Sequence, residues 1–142
     1  MRVMVLVHAT PQSEAEQFDD PEVLAEFEAM GKFNEELVKA GIMLAGEGLT
    51  PSSQGKRVAF GPSGTPSVID GPFTEAKELV GGFWVWQVSS MDEAVEWIKR
   101  APFRDNVIEL RRVYEESDFE GKVPSEIIEA EAKLRDQVEQ QQ

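Results

Sequence analysis

The 142-residue sequence predicts an α+β fold built as β-α-β-β-α-β, with one extra β-hairpin and a C-terminal helix. Three observations lead to it. Four apolar runs read as strands (residues 2–8, 42–49, 83–88 and 107–114), and they are interleaved with two segments whose apolar residues recur at helical spacing. Each helical segment opens on a capping signal and closes on glycine or proline. Two further short runs, joined by GPSGT, read as a hairpin between the second and third strands. Leaving the hairpin aside, the order is the split βαβ, or ferredoxin-like, pattern.

The elements follow from their residues. Arg2–His8 is nearly unbroken apolar sequence ending at Thr10-Pro11, and we read it as a strand rather than as a secretion signal, since no small-residue cleavage site follows. Asp20-Pro21 supplies an N-cap with proline at the first helical position. Val23, Phe27, Met30 and Leu37, with Leu24 and Val38 beside them, form an apolar stripe, and Gly41 is placed to end the helix with a positive φ. Residues 42–49 (IMLAGEGL) make a second strand interrupted by glycines, and KRVAF (56–60) with PSVID (66–70) make the hairpin. After the Asp70-Gly71-Pro72-Phe73 turn, Thr74 can cap a short helical turn that Gly81-Gly82 would stop. FWVWQV (83–88) is the third main strand. Ser90-Met91-Asp92-Glu93 is a capping box opening a helix through Arg100, closed by Pro102. Val107–Tyr114 is the last strand, and Ile127, Ala130, Leu134 and Val138 mark a terminal helix. Residues 1–116 are thus expected to form the α+β domain and 117–142 an acidic helical extension.

Two helices cover one face of a four-stranded sheet. VMVLV and FWVWQV nonetheless lack the alternation of half-exposed strands, and strands buried on both faces read this way. The economical cover for the second face is another copy of the same sheet in a two-fold dimer. The terminal helix folding back is the alternative.

Composition excludes several classes of function. The net charge is −13, which opposes binding to phosphate backbones or anionic membrane surfaces. The excess is uneven: residues 115–142 carry nine acidic and three basic side chains, as a solvated acidic helix would. No apolar run approaches the roughly 20 residues of a membrane span. With no cysteine, the chain has neither disulfides nor thiolate chemistry, which fits a reducing cytoplasm. One histidine and no cysteine make a zinc site improbable. Phosphate-loop, H-E-x-x-H and dinucleotide fingerprints are absent, so no cofactor is expected.

DGPFTEAKE (70–78), LAGEGLTP (44–51), GGFWVWQV (81–88) and DEAVEWIKRAP (92–102) resemble, in order and spacing, the DGPF branch of the bacterial YCII-related family, over about Met1 to Glu116. One departure is that threonine stands at 74 here, where the family often has it at the position of Ala76. The resemblance implies a dimeric α+β barrel. It also implies lyase-like chemistry on small ring compounds through a His–Asp pair in some relatives, and association with extracytoplasmic-function sigma factors in others. In the enzymatic relatives the histidine is expected on the first helix, where this chain has Ala29, Met30 and Asn34.

His8, the sole imidazole, ends the first strand; it is either a structural histidine hydrogen-bonded at the strand end or a general base with Asp70 as the candidate partner acid, since a carboxylate fixes the imidazole tautomer and stabilises the imidazolium. Asp70 also suits a purely structural turn, in which Gly71 and Pro72 set the backbone and Phe73 anchors it. Glu47 lies between two glycines that permit close approach. Trp84 and Trp86 share one side of their strand, lining a core, a dimer seam or an apolar pocket. Arg111 and Arg112 fall on opposite faces; Arg111 is the candidate to reach Glu47 or Asp70, or to hold an anionic ligand. Glu75, Lys77 and Glu78 read as a solvated helical face. The expected function is a dimeric barrel with a small-molecule cleft formed around Glu47, Phe73, Trp84, Trp86 and Arg111. The alternatives are a lyase- or isomerase-like enzyme using His8 and Asp70, and a non-catalytic partner of a sigma factor.

Overall fold

The computed structural model describes residues 1–75 and 78–142. Two compact units, Met1–Arg112 and Val113–Gln142, make up the chain. In the first, the strands are β1 (Arg2–His8), β2 (Met43–Gly48), β3 (Lys56–Phe60), β4 (Pro66–Asp70), β5 (Val80–Gln87) and β6 (Ile108–Arg112). The helices are α1 (Pro11–Glu14), α2 (Pro21–Lys39) and α3 (Met91–Ile98). Strands β2-β5-β1-β6 form one antiparallel sheet in the ferredoxin-like order, and β3-β4 form a separate hairpin. The α+β expectation is therefore met, hairpin included.

Side-chain alternation sorts the sheet into two faces. Val3 pairs with Trp86 and Val5 with Trp84, and all four are buried against Phe33 and Leu37 of α2 and Ala94 of α3. Each such aliphatic side chain stabilises the fold by about 1.5–3 kcal/mol through removal from water. The Trp84 ring lies 5.6 Å from that of Trp86 and meets Phe33 edge-on at 6.0 Å. Its indole N–H donates to Asn34 Oδ1 at 2.9 Å, whereas the buried Trp86 Nε1 has no acceptor among the described residues. On the other face Met4 lies opposite Val85 and Leu6 opposite Phe83, and these four are only partly buried.

The caps hold α2 as expected: Asp20 accepts from the Glu22 N–H at 2.9 Å, and Gly41 takes φ +72° just beyond the helix. At α3, Ser90 accepts from the Glu93 N–H, but the Glu93 carboxylate turns to Ser89, accepting from its N–H and hydroxyl. Those two hydrogen bonds hold the Glu93 carboxyl below the usual glutamate range, the Ser89 hydroxyl contributing most.

Some expected boundaries are corrected. Gly81-Gly82 do not stop a helical turn; they lie inside β5, which begins at Val80. A Cβ on Gly81 would stand 3.0 Å from Ala9 Cα, and one on Gly82 3.0 Å from the Glu47 carbonyl oxygen, so close strand packing requires both glycines. The turn after Thr74, with Ala76 and Lys77, lies outside the described residues. Helix α3 ends at Ile98 rather than Arg100, whose guanidinium pairs with Glu36 of α2 and sits 4.9 Å over the Trp97 ring. Strand β6 ends at Arg112, and Tyr114 instead packs its ring 4.9 Å from that of Phe119.

In the second unit a 3-10 turn (Glu116–Phe119) precedes α4 (Ser125–Gln140). The expected stripe is present but Ile127, Leu134 and Val138 are exposed.

Candidate functional site

The end of β1 opens onto a cleft of about 230 Å³. Its wall is mainly apolar, from Val7, the α2 residues Val23, Phe27 and Met30, and two further rings, Phe18 and Phe103. The first half of the α2 stripe thus faces the cleft, while Phe33 and Leu37 face the core. The Phe18 and Phe27 rings lie 5.8 Å apart, and Phe103 meets Trp84 edge-on at 6.1 Å. Polar groups are few: His8, Thr10, Gln12, Ser13, Glu26, Arg104 and Asn106.

His8 reaches this cleft through an irregularity in the sheet. Val7 pairs with Gly82 but His8 pairs with Val80, so Gly81 is left over as a bulge. Strict alternation would send Val7 and His8 to opposite faces, yet at the bulge both border the cleft; bulges commonly re-aim a side chain in this way. Asn106 secures the strand end, donating from Nδ2 to the His8 carbonyl at 3.2 Å. The facing wall, α1, is closed by a reciprocal cap in which Ser13 N–H donates to Thr10 Oγ1 and Thr10 N–H donates to Ser13 Oγ.

Helix α1 is in turn tied to the DGPF turn. The Glu14 carboxylate accepts from both the Ser52 N–H (2.8 Å) and the Ser52 hydroxyl. The same hydroxyl oxygen accepts from the Phe73 N–H at 3.1 Å. Gly71, joined to Pro72 by a cis peptide, donates its N–H to the Gly55 carbonyl at 3.0 Å. A Cβ on Gly71 would fall on the Ser52 carbonyl. The turn is therefore built around Ser52.

Of the candidate catalytic and ligand-binding residues named from the sequence, His8 alone, among the described residues, lines the cleft. Asp70 ends β4 and pairs with Lys56 across the hairpin at 2.5 Å. Phe73 lies under the Arg57 guanidinium, 4.0 Å from its ring centre. Trp84 and Trp86 are buried in the core. Glu47 lies opposite Phe83, and the glycine before it is needed because a Cβ at Gly46 would meet the Trp84 indole at 2.7 Å. Arg111 sits opposite Met4 and Arg112 opposite Val3, on opposite faces as expected. The Arg111 guanidinium pairs with Glu109 at 3.1 Å. Sequence reasoning missed Glu14, Ser52, Glu26, Arg104 and Asn106. The one local signal was Asp105-Asn106 shortly after Pro102, a turn-forming pair.

A family model described as a YCII-related domain matches residues 1–117. The chain belongs to the YCII-related family. Among solved structures, this family member is similar to 5-chloro-2-hydroxyhydroquinone dehydrochlorinase (TftG) from Burkholderia phenoliruptrix AC1100, determined in complex with 2,5-dihydroxybenzoquinone. That likeness spans 82% of this chain and 98% of the other at 20% identity, with a TM-score of 0.42. No curated protein matches the chain. Among the described residues, no cluster of three or more His, Cys, Asp or Glu is arranged to hold a metal ion, and no helix is long and apolar enough to cross a membrane.

Proposed function

We propose that this YCII-related chain binds a small, largely apolar metabolite about one ring in size at the end of β1, and that His8 exchanges a proton with it. The observation that carries this reading is the placement of the sole imidazole in a cleft walled by Phe18, Phe27, Met30 and Phe103. Neutral imidazole is the side chain best suited to take up and return a proton near pH 7. An apolar wall with a few polar groups is the usual make-up of a small-molecule site. The reaction class is lyase- or isomerase-like proton transfer, with His8 removing a proton from the ligand and returning it to the product or leaving group.

We further propose that the chain works as a two-fold dimer through the sheet face bearing Met4, Leu6, Phe83 and Val85, an apolar set that stays partly exposed in the single chain.

The test of the cleft follows the imidazole C–H signals by NMR while one-ring metabolites are added. A ligand of this site shifts them. His8→Gln then keeps binding within about threefold but lowers turnover by at least about 100-fold, the usual range for a lost general base. Ligands that shift hairpin resonances and leave His8 unmoved would remove the proposal.

A further inference from the structure

We propose that Arg104 makes this cleft selective for a one-ring organic acid, whose single negative charge it holds beside the His8 imidazole. The inference rests on the cleft reading above and names the class of ligand.

The chain carries a net charge of −13, and many of its cations are engaged by side chains of their own fold. Lys56 pairs with Asp70, Lys99 with Glu96, Arg100 with Glu36 and Arg111 with Glu109, while Arg57 covers Phe73. Arg104 lines the cleft and, among the described residues, makes no ion pair, hydrogen bond or ring contact. The backbone places it there at a cost. Asp105 adopts φ +47°, a left-handed conformation uncommon for non-glycine residues though less so for aspartate, and the residues on either side of it both border the cleft. Such strain tends to persist where function maintains it. Asn106 spends one amide hydrogen on the His8 carbonyl and its oxygen on the Val107 N–H, which leaves a second amide hydrogen to donate.

The remaining features narrow the ligand. A cavity of 150 Å³ accommodates benzene, as is known for an engineered apolar cavity of about that size, so 230 Å³ takes one ring with small substituents. Phe18, Phe27 and Phe103 offer ring faces and edges to it. Glu26, on the α2 wall, opposes a second negative charge. One guanidinium and one carboxylate on the lining of a mainly apolar cleft suit a monoanion, such as an aromatic carboxylate or phenolate, better than a phosphate dianion.

Benzoate and its neutral isostere benzamide, titrated into the full chain with the His8 signals as reporter, test this. Benzoate is expected to bind about tenfold more tightly, the value of one charge-assisted hydrogen bond. Arg104→Gln should abolish that preference and leave benzamide binding unchanged; Arg104→Lys should restore part of it. Glu26→Gln should tighten benzoate severalfold without affecting benzamide. Arg57→Gln, an equal change in net charge away from the cleft, should leave the ratio unaltered. If benzamide shifts His8 as strongly as benzoate, or if Arg104→Gln keeps the preference, this inference falls while the cleft reading stands. If neither compound reaches His8 at millimolar concentration, both fall.

Discussion

Gly71 has no room for a side chain, because the Ser52 carbonyl occupies the place its Cβ would take. Gly71→Ala must displace backbone, and it should lower unfolding stability by about 3 kcal/mol, the upper range of overpacking costs; chemical denaturation would measure it. Gly48 is the matched control, since nothing lies within 4 Å of a Cβ there, and Gly48→Ala should stay within about 0.5 kcal/mol of the parent, the range typical of surface changes. At Asn34, replacement by Leu removes the acceptor for the buried Trp84 N–H at a cost of about 1–3 kcal/mol. His8 was legible as a candidate because it is the sole imidazole and ends a strand, although a histidine with a purely structural role at a strand end gives the same sequence signal; what the structure adds is that it borders the cleft. The fate of Asp70 was legible too, had the hairpin register been followed: setting 56–60 against 66–70 puts Lys56 opposite Asp70. Arg104 was not, since what singles it out is the absence of a side-chain partner among the described residues, and pairing is a property of three dimensions.

Helices and strands were the most readable scale, because their signals are local. Asp20, Ser90 and Gly41 sit at the helix boundaries that their side chains or backbone freedom suit. The glycine pair in β5 was misread because Gly-Gly is the same signal for a stop and for a bulge; only the neighbouring Ala9 and Glu47 backbones separate the two. The half of the α2 stripe that lines the cleft also escaped, since helical periodicity tells which face is apolar but not what it touches. The start of α3 carries a pH prediction. The Glu93 carboxylate is held below its ordinary range by Ser89, so the folded state favours its charged form. That contribution is complete above the ordinary glutamate pKa of about 4.3 and is lost as pH falls through the lowered one. Glu93→Gln should therefore melt below the parent at neutral pH, and the difference should shrink as pH falls through the lowered Glu93 pKa. Dilute circular-dichroism melts suit the measurement, because the sequence is isoelectric near 4.5.

For the whole molecule, the buried core cluster lies entirely within residues 1–112. A chain ending at Arg112 should keep cooperative unfolding and an unchanged His8 spectrum; loss of cooperativity would mean that the acidic segment is needed to cover the sheet. The proposed dimer is tested by light scattering, with the parent at twice the chain mass and Phe83→Glu at one, and a monomeric parent would dismiss it. The sequence pointed to this face through its missing alternation, but not to what lies over it, because two readings of the same apolar strands differ only in the identity of the cover. Ser52 carries a different lesson. One hydroxyl joins Phe73 of the DGPF turn to Glu14 of α1, the helix whose Gln12 and Ser13 border the cleft, so damage to the motif is expected to reach the proposed site although the motif does not line it. A variant of Asp70, Gly71 or Phe73 that loses activity would look like a catalytic mutant in any screen scored by turnover alone, and repair by a second change at Ser52 or Glu14 is what would separate a lost scaffold from a lost chemical group.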